Sequence, residues 1–305
     1  MAENENFENV NNKISFDEKA FLRKARFISI LRITLISLGV AIGIFVLSFV
    51  IPEIMLQNQE NRIDSIYPEL IKFSEPNTFV LSGESYNVRL FGRQKKYYLL
   101  RLIGNKPYPA GALTVDFDVW GGEQIKGNQA FTLPEGEKEY LAPYAVPKLK
   151  FYHPAANYEK INIEFNILKN IPKDYYVEMA LSFRKPLTLD EMKTIMPGDL
   201  KLMWGAVCVF SEKDYAKNSY LSERLVGNPY LDKTNGEKQL LKELEWLSNV
   251  PSHHAKNLKR TVSYLKENGI KYYGVVVVGN PDTLAKLSSN PMIRAAVLGI
   301  VTRPE

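Results

Sequence analysis

An uninterrupted apolar stretch from Ile33 to Ile51 constrains this chain more than any other feature. It contains no charged residue, and its only polar side chains are Thr34, Ser37 and Ser48. Nineteen residues at about 1.5 Å rise make a helix of roughly 28 Å, close to the ~30 Å hydrocarbon core of a bilayer. Because a helix in a soluble core would carry a polar stripe, the stretch predicts one transmembrane helix.

Two glycines inside this stretch form a candidate packing face. Gly39 and Gly43 have the Gly-x-x-x-Gly spacing that lets two helices approach closely in lipid. Glycine is also common in membrane helices that pack against nothing. Helix dimerisation and incidental small residues are therefore both open interpretations.

The residues that flank the apolar stretch predict its orientation. Basic residues precede it, and positively charged segments close to a span stay in the cytoplasm. We predict a single-pass protein of the cell membrane, with a cytoplasmic N-terminus and an extracytoplasmic C-terminal domain. A cleaved signal peptide is the alternative, but its apolar core would be only about 7–15 residues long and would end at small residues. The basic residues are Lys19, Arg23, Lys24, Arg26 and Arg32.

Composition describes the part of the chain beyond the span. About 250 residues follow it, enough for one large or two ordinary domains. A hydrophobic content of 45% and a charged content of 24% are typical of a packed globular chain. The net charge of +5 is too small to indicate nucleic-acid binding. Cys208 is the single cysteine, which excludes an internal disulfide. An exported domain of this size without disulfides is typical of a Gram-positive bacterium and unusual for an animal secreted protein.

The segment before the span carries its own helix signal. Ser15 and Glu18 have the spacing of a capping box, which predicts a helix that begins at Ser15 and runs into the span. In one interpretation this helix is a basic collar that lies on lipid headgroups. In the other it docks a cytoplasmic partner through aromatic anchors and charge steering. The candidate partner-binding residues are Phe16, Phe21, Arg23, Lys24 and Arg26.

Beyond the span, strand signals come first, and strands then alternate with amphipathic helices. This order predicts an α+β fold: a single N-terminal transmembrane helix, an extracytoplasmic β-rich region, and a C-terminal α/β sandwich with helices on one face. The predicted divisions are 1–32 for the cytoplasmic tail and juxtamembrane helix, 33–51 for the transmembrane helix, 52–150 for a stalk and the β-rich region, and 151–305 for the C-terminal α+β domain.

Individual elements follow from period and punctuation. Pro52–Pro76 is predicted as a helical or irregular stalk, and Gly121–Pro147 as loop. The predicted strands are Thr78–Ser82, Tyr97–Ile103, Ala112–Trp120, Ile161–Leu168, Tyr175–Phe183, Leu202–Phe210, Tyr272–Val278 and Ala295–Val301. The predicted helices are one opened by the capping box at Thr188, Glu237–Ser248, Ala255–Asn268, and one capped by Asn280.

The sequence lacks motifs for catalysis or metal binding, and we predict no enzyme, no cofactor and no metal site. No zinc-ligand spacing connects Cys208 with a histidine. Asp116 and Asp118 share one strand face, which fits a carboxylate pair or a calcium site but also a solvated strand. Asn280 follows a strand and opens a helix, where a phosphate could bind or the asparagine simply caps the helix.

A basic and aromatic cluster surrounds Tyr97 and Tyr98. Outside the cell it could contact lipid headgroups or wall polymers. As a solvated strand edge it needs no partner, and we favour that interpretation. Its basic members are Arg89, Arg93, Lys95, Lys96 and Arg101.

Hydrophobic, glycine-centred segments in the C-terminal half form a recognisable pattern. They are Trp204–Val207, Tyr273–Gly279, Asn290–Ala296 and Leu298–Gly299. This pattern resembles the C-terminal domain of the bacterial sigma factor regulator family, and Lys24–Ile103 is similar to the N-terminal region of that family.

The resemblance implies a membrane-anchored anti-sigma factor that restrains an extracytoplasmic-function sigma factor in response to an envelope signal. The cytoplasmic segment would bind that sigma factor, alone or with a second membrane protein. The lipid bilayer would be the other partner, and no direct nucleic-acid contact is implied. The alternative is a membrane-anchored binding module of the cell envelope without sigma contact. The sequence has no His-Cys-Cys cluster of the zinc-type anti-sigma factors.

Overall fold

The computed structural model describes residues 17–104, 106–128 and 146–303. The chain divides into two compact units, the first ending at Met55 and the second beginning at Leu56. The helices are α1 Glu18–Phe45, α2 Ile51–Ser74, α3 Leu189–Ile195, α4 Glu212–Lys217, α5 Gly236–Asn249, α6 Ala255–Asn268 and α7 Pro281–Lys286. The strands are β1 Thr78–Arg89, β2 Gly92–Ile103, β3 Lys106–Asp118, β4 Glu123–Asn128, β5 Tyr176–Leu187, β6 Lys201–Val207, β7 Gly227–Asn228, β8 Tyr272–Gly279 and β9 Ile293–Thr302.

The first unit consists of α1 and the turns that follow it. Asp17 is the N-cap of α1, and its side chain accepts a hydrogen bond from the Ala20 amide at 3.1 Å. The predicted start at Ser15 lies outside the described residues. The helical run Glu18–Ser74 contains a stretch long and apolar enough to cross a membrane, as the sequence predicted. A helix suits this stretch because it satisfies every backbone polar group internally, which lipid requires.

A π-helical turn, Val46–Val50, separates α1 from α2. The Ile51 amide donates to the Val46 carbonyl, five residues back instead of four. Pro52 follows directly, and a proline has no N–H and crowds the carbonyl four residues before it. The wider turn absorbs that disturbance without ending the helix.

Helix α2 is packed into the second unit and is not a free stalk. Leu56, Ile63 and Tyr67 lie on one side of α2 and belong to a core shared with the first sheet. Ile66 and Phe73 belong to a different core, shared with the second sheet. Pro68 stands inside the helix. Its cost of about 3 kcal/mol in a helix interior is offset by burial of apolar side chains on two faces.

The first sheet is an antiparallel meander in the order β1-β2-β3-β4. The predicted strand Ala112–Trp120 lies in β3 as far as Asp118, and the face opposite Asp116 and Asp118 carries Val115 and Phe117, which are buried in the core beneath α2. The prediction of loop throughout Gly121–Pro147 is wrong for β4, which pairs with β3 from Phe117↔Glu123 onward. The sequence of β4 has no apolar alternation, so pairing with β3 rather than local preference makes it a strand.

The second sheet is antiparallel throughout, in the order β7-β6-β8-β5-β9. Every residue of β8 is buried, in agreement with its unbroken apolar sequence. Helices α3, α5, α6 and α7 share one core with this sheet. Residues 146–160 contribute Phe151 and Tyr152 to a core on the other side of the strands. Tyr215 of α4 stacks on His153, beside that core, so the prediction of helices on one face holds for α3, α5, α6 and α7 and is wrong for α4.

The α+β fold with an N-terminal membrane-spanning helix is thus confirmed, with one further correction to its elements. Ile161–Leu168 is not a strand, because Phe165–Asn170 forms a 3-10 helix. Ile163 makes a single bridge to Ala296. Phe165 and Leu168 are both buried and lie three residues apart. This spacing is the period of a 3-10 turn, whereas a strand would bury every second residue.

Candidate functional site

The exposed N-terminal part of α1 carries most of the predicted partner-binding residues. Phe21 is 56% exposed, and Arg23, Lys24 and Arg26 are exposed as well. Phe16, the other predicted anchor, lies outside the described residues. The helix therefore presents an aromatic side chain and three cations to the surroundings.

The helical geometry separates these side chains into two faces. At about 100° per residue, Arg23 and Arg26 point about 160° and 140° away from Phe21. Phe21 instead shares its face with Ala25 and Ile28, the residues four and seven positions later. Lys19 lies with the two arginines, whereas Lys24 flanks the aromatic face. We name the Phe21, Ala25 and Ile28 side the apolar face, and the Lys19, Arg23 and Arg26 side the basic face.

This separation bears on the two interpretations of the segment. An apolar face suits a protein partner, because buried aromatic and aliphatic anchors contribute most interface energy. A basic face suits anionic headgroups. One helix can perform both tasks at once, on opposite sides.

The two glycines of the span lie one turn apart on α1. A Cβ atom added to Gly39 or Gly43 would meet no atom within 4 Å. The face is therefore open to a second helix, and its role in packing stays a prediction.

In the second unit, an ionic cluster attaches α2 to the middle of the first sheet. We call Glu60, Asp64, Arg93 and Lys95 the Glu60 cluster. Glu60 accepts hydrogen bonds from Arg93 and from Lys95, both at 2.7 Å, and Lys95 also reaches Asp64 at 3.0 Å. The side chains of Arg93 and Lys95 are 9% and 8% exposed.

The Glu60 cluster corrects the prediction of a solvated basic edge on β2. Strand β2 pairs with β1 on one side and β3 on the other, so it is not an edge. Its alternate residues Arg93 and Lys95 are buried beneath α2. Of the basic residues in the predicted cluster, only Arg89 and Lys96 reach solvent. Arg89 pairs with Asp116, and Lys96 lies over the ring of Tyr98.

Electrostatics in this cluster favour the charged carboxylate. Burial by itself would raise the pKa of Glu60, but hydrogen bonds from Lys95, Ser85 and Arg93 lower it to about 2. Burial likewise opposes the charge of Lys95, and its hydrogen bonds with Glu60 and Asp64 outweigh that and raise its pKa. Glu60 and Lys95 are therefore both charged at neutral pH.

A second buried pair joins the two sheets. The Arg101 guanidinium on β2 contacts the Glu178 carboxylate on β5 at 3.1 Å, and Glu178 is fully buried. The other oxygen of Glu178 accepts from Asn77 at 2.8 Å, and the amide of Ile300 on β9 donates to the first at 3.2 Å. Arg101 is thus a structural ion-pair partner and not part of a surface cluster.

The C-terminal part of α2 is bound to the second sheet and its helices. Lys72 pairs with Glu69 and, at 2.8 Å, with Glu243 on α5. The indole N–H of Trp204 on β6 donates to the Lys72 carbonyl at 3.1 Å. With the Glu60 cluster at its other end, α2 connects the start of the second unit to both sheets.

The buried pair of Cys208 and His153 does not form a nucleophile and base. The Ala155 amide donates to Nδ1 of His153 at 3.2 Å, which places the proton of a neutral imidazole on Nε2. Burial lowers the pKa of His153 to about 4, so the ring is neutral at pH 7. Nε2 faces Sγ at 3.7 Å and therefore donates to it. Burial also raises the pKa of the Cys208 thiol to about 12, the opposite of activation.

The remaining candidate residues have structural partners. Asp116 pairs with Arg89 at 2.9 Å and Lys126 at 2.5 Å. Asp118 accepts from the amides of Trp120 and Gly122 and so stabilises the turn into β4. Asn280 caps α7, as one of its two interpretations predicted, by accepting from the Thr283 amide at 2.8 Å. Within the described ranges, no three His, Cys, Asp or Glu side chains form a metal-binding group.

Sequence reasoning missed the acidic half of the Glu60 cluster. Glu60 and Asp64 are four residues apart on a helix, and Arg93 and Lys95 are two apart on a strand. Each pair therefore presents its charges on one face. Two opposite pairs of that kind in adjacent elements are the signal that would have indicated a buried ionic contact.

Comparison with known proteins adds three findings. The chain matches the description "Sigma factor regulator N-terminal" over residues 19–108 and "Sigma factor regulator C-terminal" over residues 168–300. It is similar to the probable anti-sigma-M factor YhdL of Bacillus subtilis (strain 168), with 23% identity over 251 residues. That alignment covers 76% of this chain and 66% of the relative, so the chain spans slightly less than two thirds of its length. No solved structure matches the chain significantly.

Proposed function

The chain belongs to the sigma factor regulator family, and from this premise we propose that it is a membrane-anchored anti-sigma factor. The apolar face of α1 holds a sigma factor of the extracytoplasmic-function type at the membrane, alone or together with a second membrane protein. Because a sigma factor must reach core polymerase to act, tethering it is sufficient to silence it. The second unit lies outside the cytoplasm and responds to an envelope signal.

The observation that carries the proposal is the separation of the two faces of α1. Phe21 and Ile28 are 56% and 40% exposed on one face of the helix, and Arg23 and Arg26 lie on the opposite face. The name of the relative, an anti-sigma factor, supports the same function. A gene for a small sigma factor directly beside the gene for this chain is the expected genomic context.

The alternative, an envelope binding module with an inert anchor, needs no exposed apolar side chains in the cytoplasm. It also gives no reason for the continuous attachment of α2 to both sheets, from the Glu60 cluster to Lys72. That attachment favours a domain whose state is passed along the chain toward the span. The anti-sigma function is therefore the better supported of the two.

The orientation gives a direct prediction. A reporter enzyme that works only outside the cytoplasm should be active when fused after Glu305, because the basic residues before Ile33 hold the N-terminus inside. A reporter that works only in the cytoplasm should be inactive at the same position and active when fused before Met1. The reverse result contradicts both the orientation and the sensing role.

We also propose that Gly39 and Gly43 pack two copies of the span together. Leucine at either position would fill the space that the second helix needs. Gly39→Leu and Gly43→Leu should therefore lower chemical cross-linking between copies in membranes, measured with a reagent that does not react with thiols. Ala41→Leu, on another face of the same helix, is the matched control and should leave cross-linking unchanged. Equal cross-linking in all three variants would show that the glycines are incidental.

A further inference from the structure

Two turns at one end of the first sheet form an exposed apolar surface. The β1–β2 turn contributes Leu90 and Phe91, which are 45% and 42% exposed, and the β3–β4 turn contributes Trp120, 76% exposed. We call these three residues the aromatic tip. None of the contacts described for the three cores, the Glu60 cluster or α1 uses it.

Ring packing and hydrogen bonds give the aromatic tip a defined structure. The rings of Phe91 and Trp120 lie 5.7 Å apart, and the Val119 amide donates to the Phe91 carbonyl at 3.1 Å, which ties one turn to the other. Asp118 accepts from the Trp120 and Gly122 amides, both at 2.9 Å, and so fixes the turn that presents the indole. A tryptophan held in water by a fixed turn indicates a surface that meets a partner.

The chain tethers this tip close to a bilayer. Gly121 lies beside Gln59 of α2. A Cβ atom added to this glycine would be 3.6 Å from Nε2 of the Gln59 side chain. Arg62, one turn further along α2, pairs with Glu123 just after the tip. Gln59 follows the end of the apolar stretch by eight residues, about 12 Å at helical rise and less than about 29 Å if fully extended. The tether alone sets this limit, whatever the orientation of the span.

The charges beside the tip favour an uncharged type of contact. Arg89 and Lys126 both pair with Asp116, and Arg62 pairs with Glu123. Asp118 at the turn is a third carboxylate, so three cations are matched by three carboxylates. A balanced rim attracts neither polyanions nor polycations. Tryptophan and phenylalanine beside aliphatic residues are instead the side chains that partition into the headgroup region of a bilayer.

We propose that the aromatic tip inserts into the headgroup region of the leaflet from which the chain emerges. Leu90, Phe91 and Trp120 then form a second membrane contact of the protein, beside the span. The contact holds the first sheet, and with it the N-terminal half of α2, against the bilayer surface. It is independent of the identity of the cytoplasmic partner.

The test uses the full chain in phosphatidylcholine vesicles at a low protein-to-lipid ratio, with acyl chains brominated close to the headgroups. Bromine quenches tryptophan fluorescence at short range. We expect quenching in the wild type, loss of most of it in Trp120→Phe, and its retention in Trp246→Phe, which removes the other exposed indole. Quenching should also persist in 1 M salt, because the contact is not electrostatic.

A matched pair of variants separates the tip from the rest of the sheet. Leu90→Asp should reduce the quenching, whereas Leu81→Asp, at a 69% exposed leucine of β1 far from the turn, should leave it unchanged. Unchanged emission of the buried Trp204 reports that each variant is folded. Equal quenching in wild type and Trp120→Phe would overturn the proposal. The proposal would also be overturned if the Trp120 indole were shielded from water only at a high protein-to-lipid ratio, because that result would assign the tip to contacts between copies of the chain.

Discussion

Alanine at position 21, together with alanine at position 16, should raise transcription of the sigma factor's target genes by a factor of about 30 or more. A buried aromatic anchor at an interface contributes about 2–4 kcal/mol on truncation, and each 1.4 kcal/mol is about a tenfold change in affinity. Phe21 is 56% exposed on the apolar face of α1, so a partner would bury much of its ring. The measurement is a transcriptional reporter on a target promoter, with the membrane content of the chain quantified in parallel.

Two controls locate the effect on one face of the helix. Phe27→Ala removes an equally large aromatic that is 67% exposed but points about 120° away from Phe21, and transcription should not change. Arg23→Gln with Arg26→Gln alters the basic face and should weaken lipid contact without the same derepression. If Phe16→Ala with Phe21→Ala leaves transcription unchanged while the chain stays in the membrane, only the collar interpretation survives.

Glu60→Gln should lower the free energy of unfolding of the second unit by about 3–5 kcal/mol. The substitution leaves Arg93 and Lys95 buried without their shared carboxylate, and removing one partner of a buried ionic group has a cost of that size. Denaturant unfolding followed by the fluorescence of the buried Trp204 measures it. Glu159→Gln, the same change at an exposed glutamate, should stay within about 0.5 kcal/mol of wild type.

The same carboxylate gives the stability a pH dependence. The pKa of Glu60 is lowered from its ordinary 4.5 to about 2 in the folded chain. A lowered folded-state pKa contributes stability that is fully present above about pH 4.5 and is lost as the pH falls toward about 2. Glu60→Gln should therefore show a flatter loss of stability over this window than the wild type.

Replacing the whole ionic group tests whether charge or shape is the cause. Glu60→Met combined with Arg93→Met and Lys95→Met should recover most of the stability lost in Glu60→Gln, because an apolar group of similar volume often replaces a buried ionic group at little cost. A stability of Glu60→Gln within about 1 kcal/mol of wild type would show that the Glu60 cluster is not a stabilising contact between α2 and the sheet.

Features with a strong local signal could be predicted from the sequence. The apolar stretch predicted a membrane-spanning helix, and the Thr188 box caps α3 with both of its hydrogen bonds present. The amphipathic patterns of α5 and α6 and the unbroken apolar run of β8 also determined their elements. In each case the deciding interactions lie within one turn or on one face, so neighbouring residues contain the information.

Features that depend on distant parts of the chain could not be predicted in this way. Strand β4 exists because β3 lies beside it, and α2 is a core helix because two sheets pack against it. Arg93 and Lys95 were predicted to lie on a solvated strand edge, because the carboxylates that neutralise them are about thirty residues away along the chain. For α1, the sequence indicated the right residue types, but only the helix showed that Phe21 and the arginines point in opposite directions.

The most direct test of the central claim, that the apolar face of α1 holds a sigma factor, is site-specific photo-cross-linking in living cells. A benzophenone amino acid is placed at position 21 in one strain and at position 23 in another, and the adducts in the membrane fraction are identified by mass. We predict an adduct with a sigma factor from position 21 and none from position 23. Adducts from position 21 that contain lipid or other membrane proteins, without a sigma factor, would contradict it.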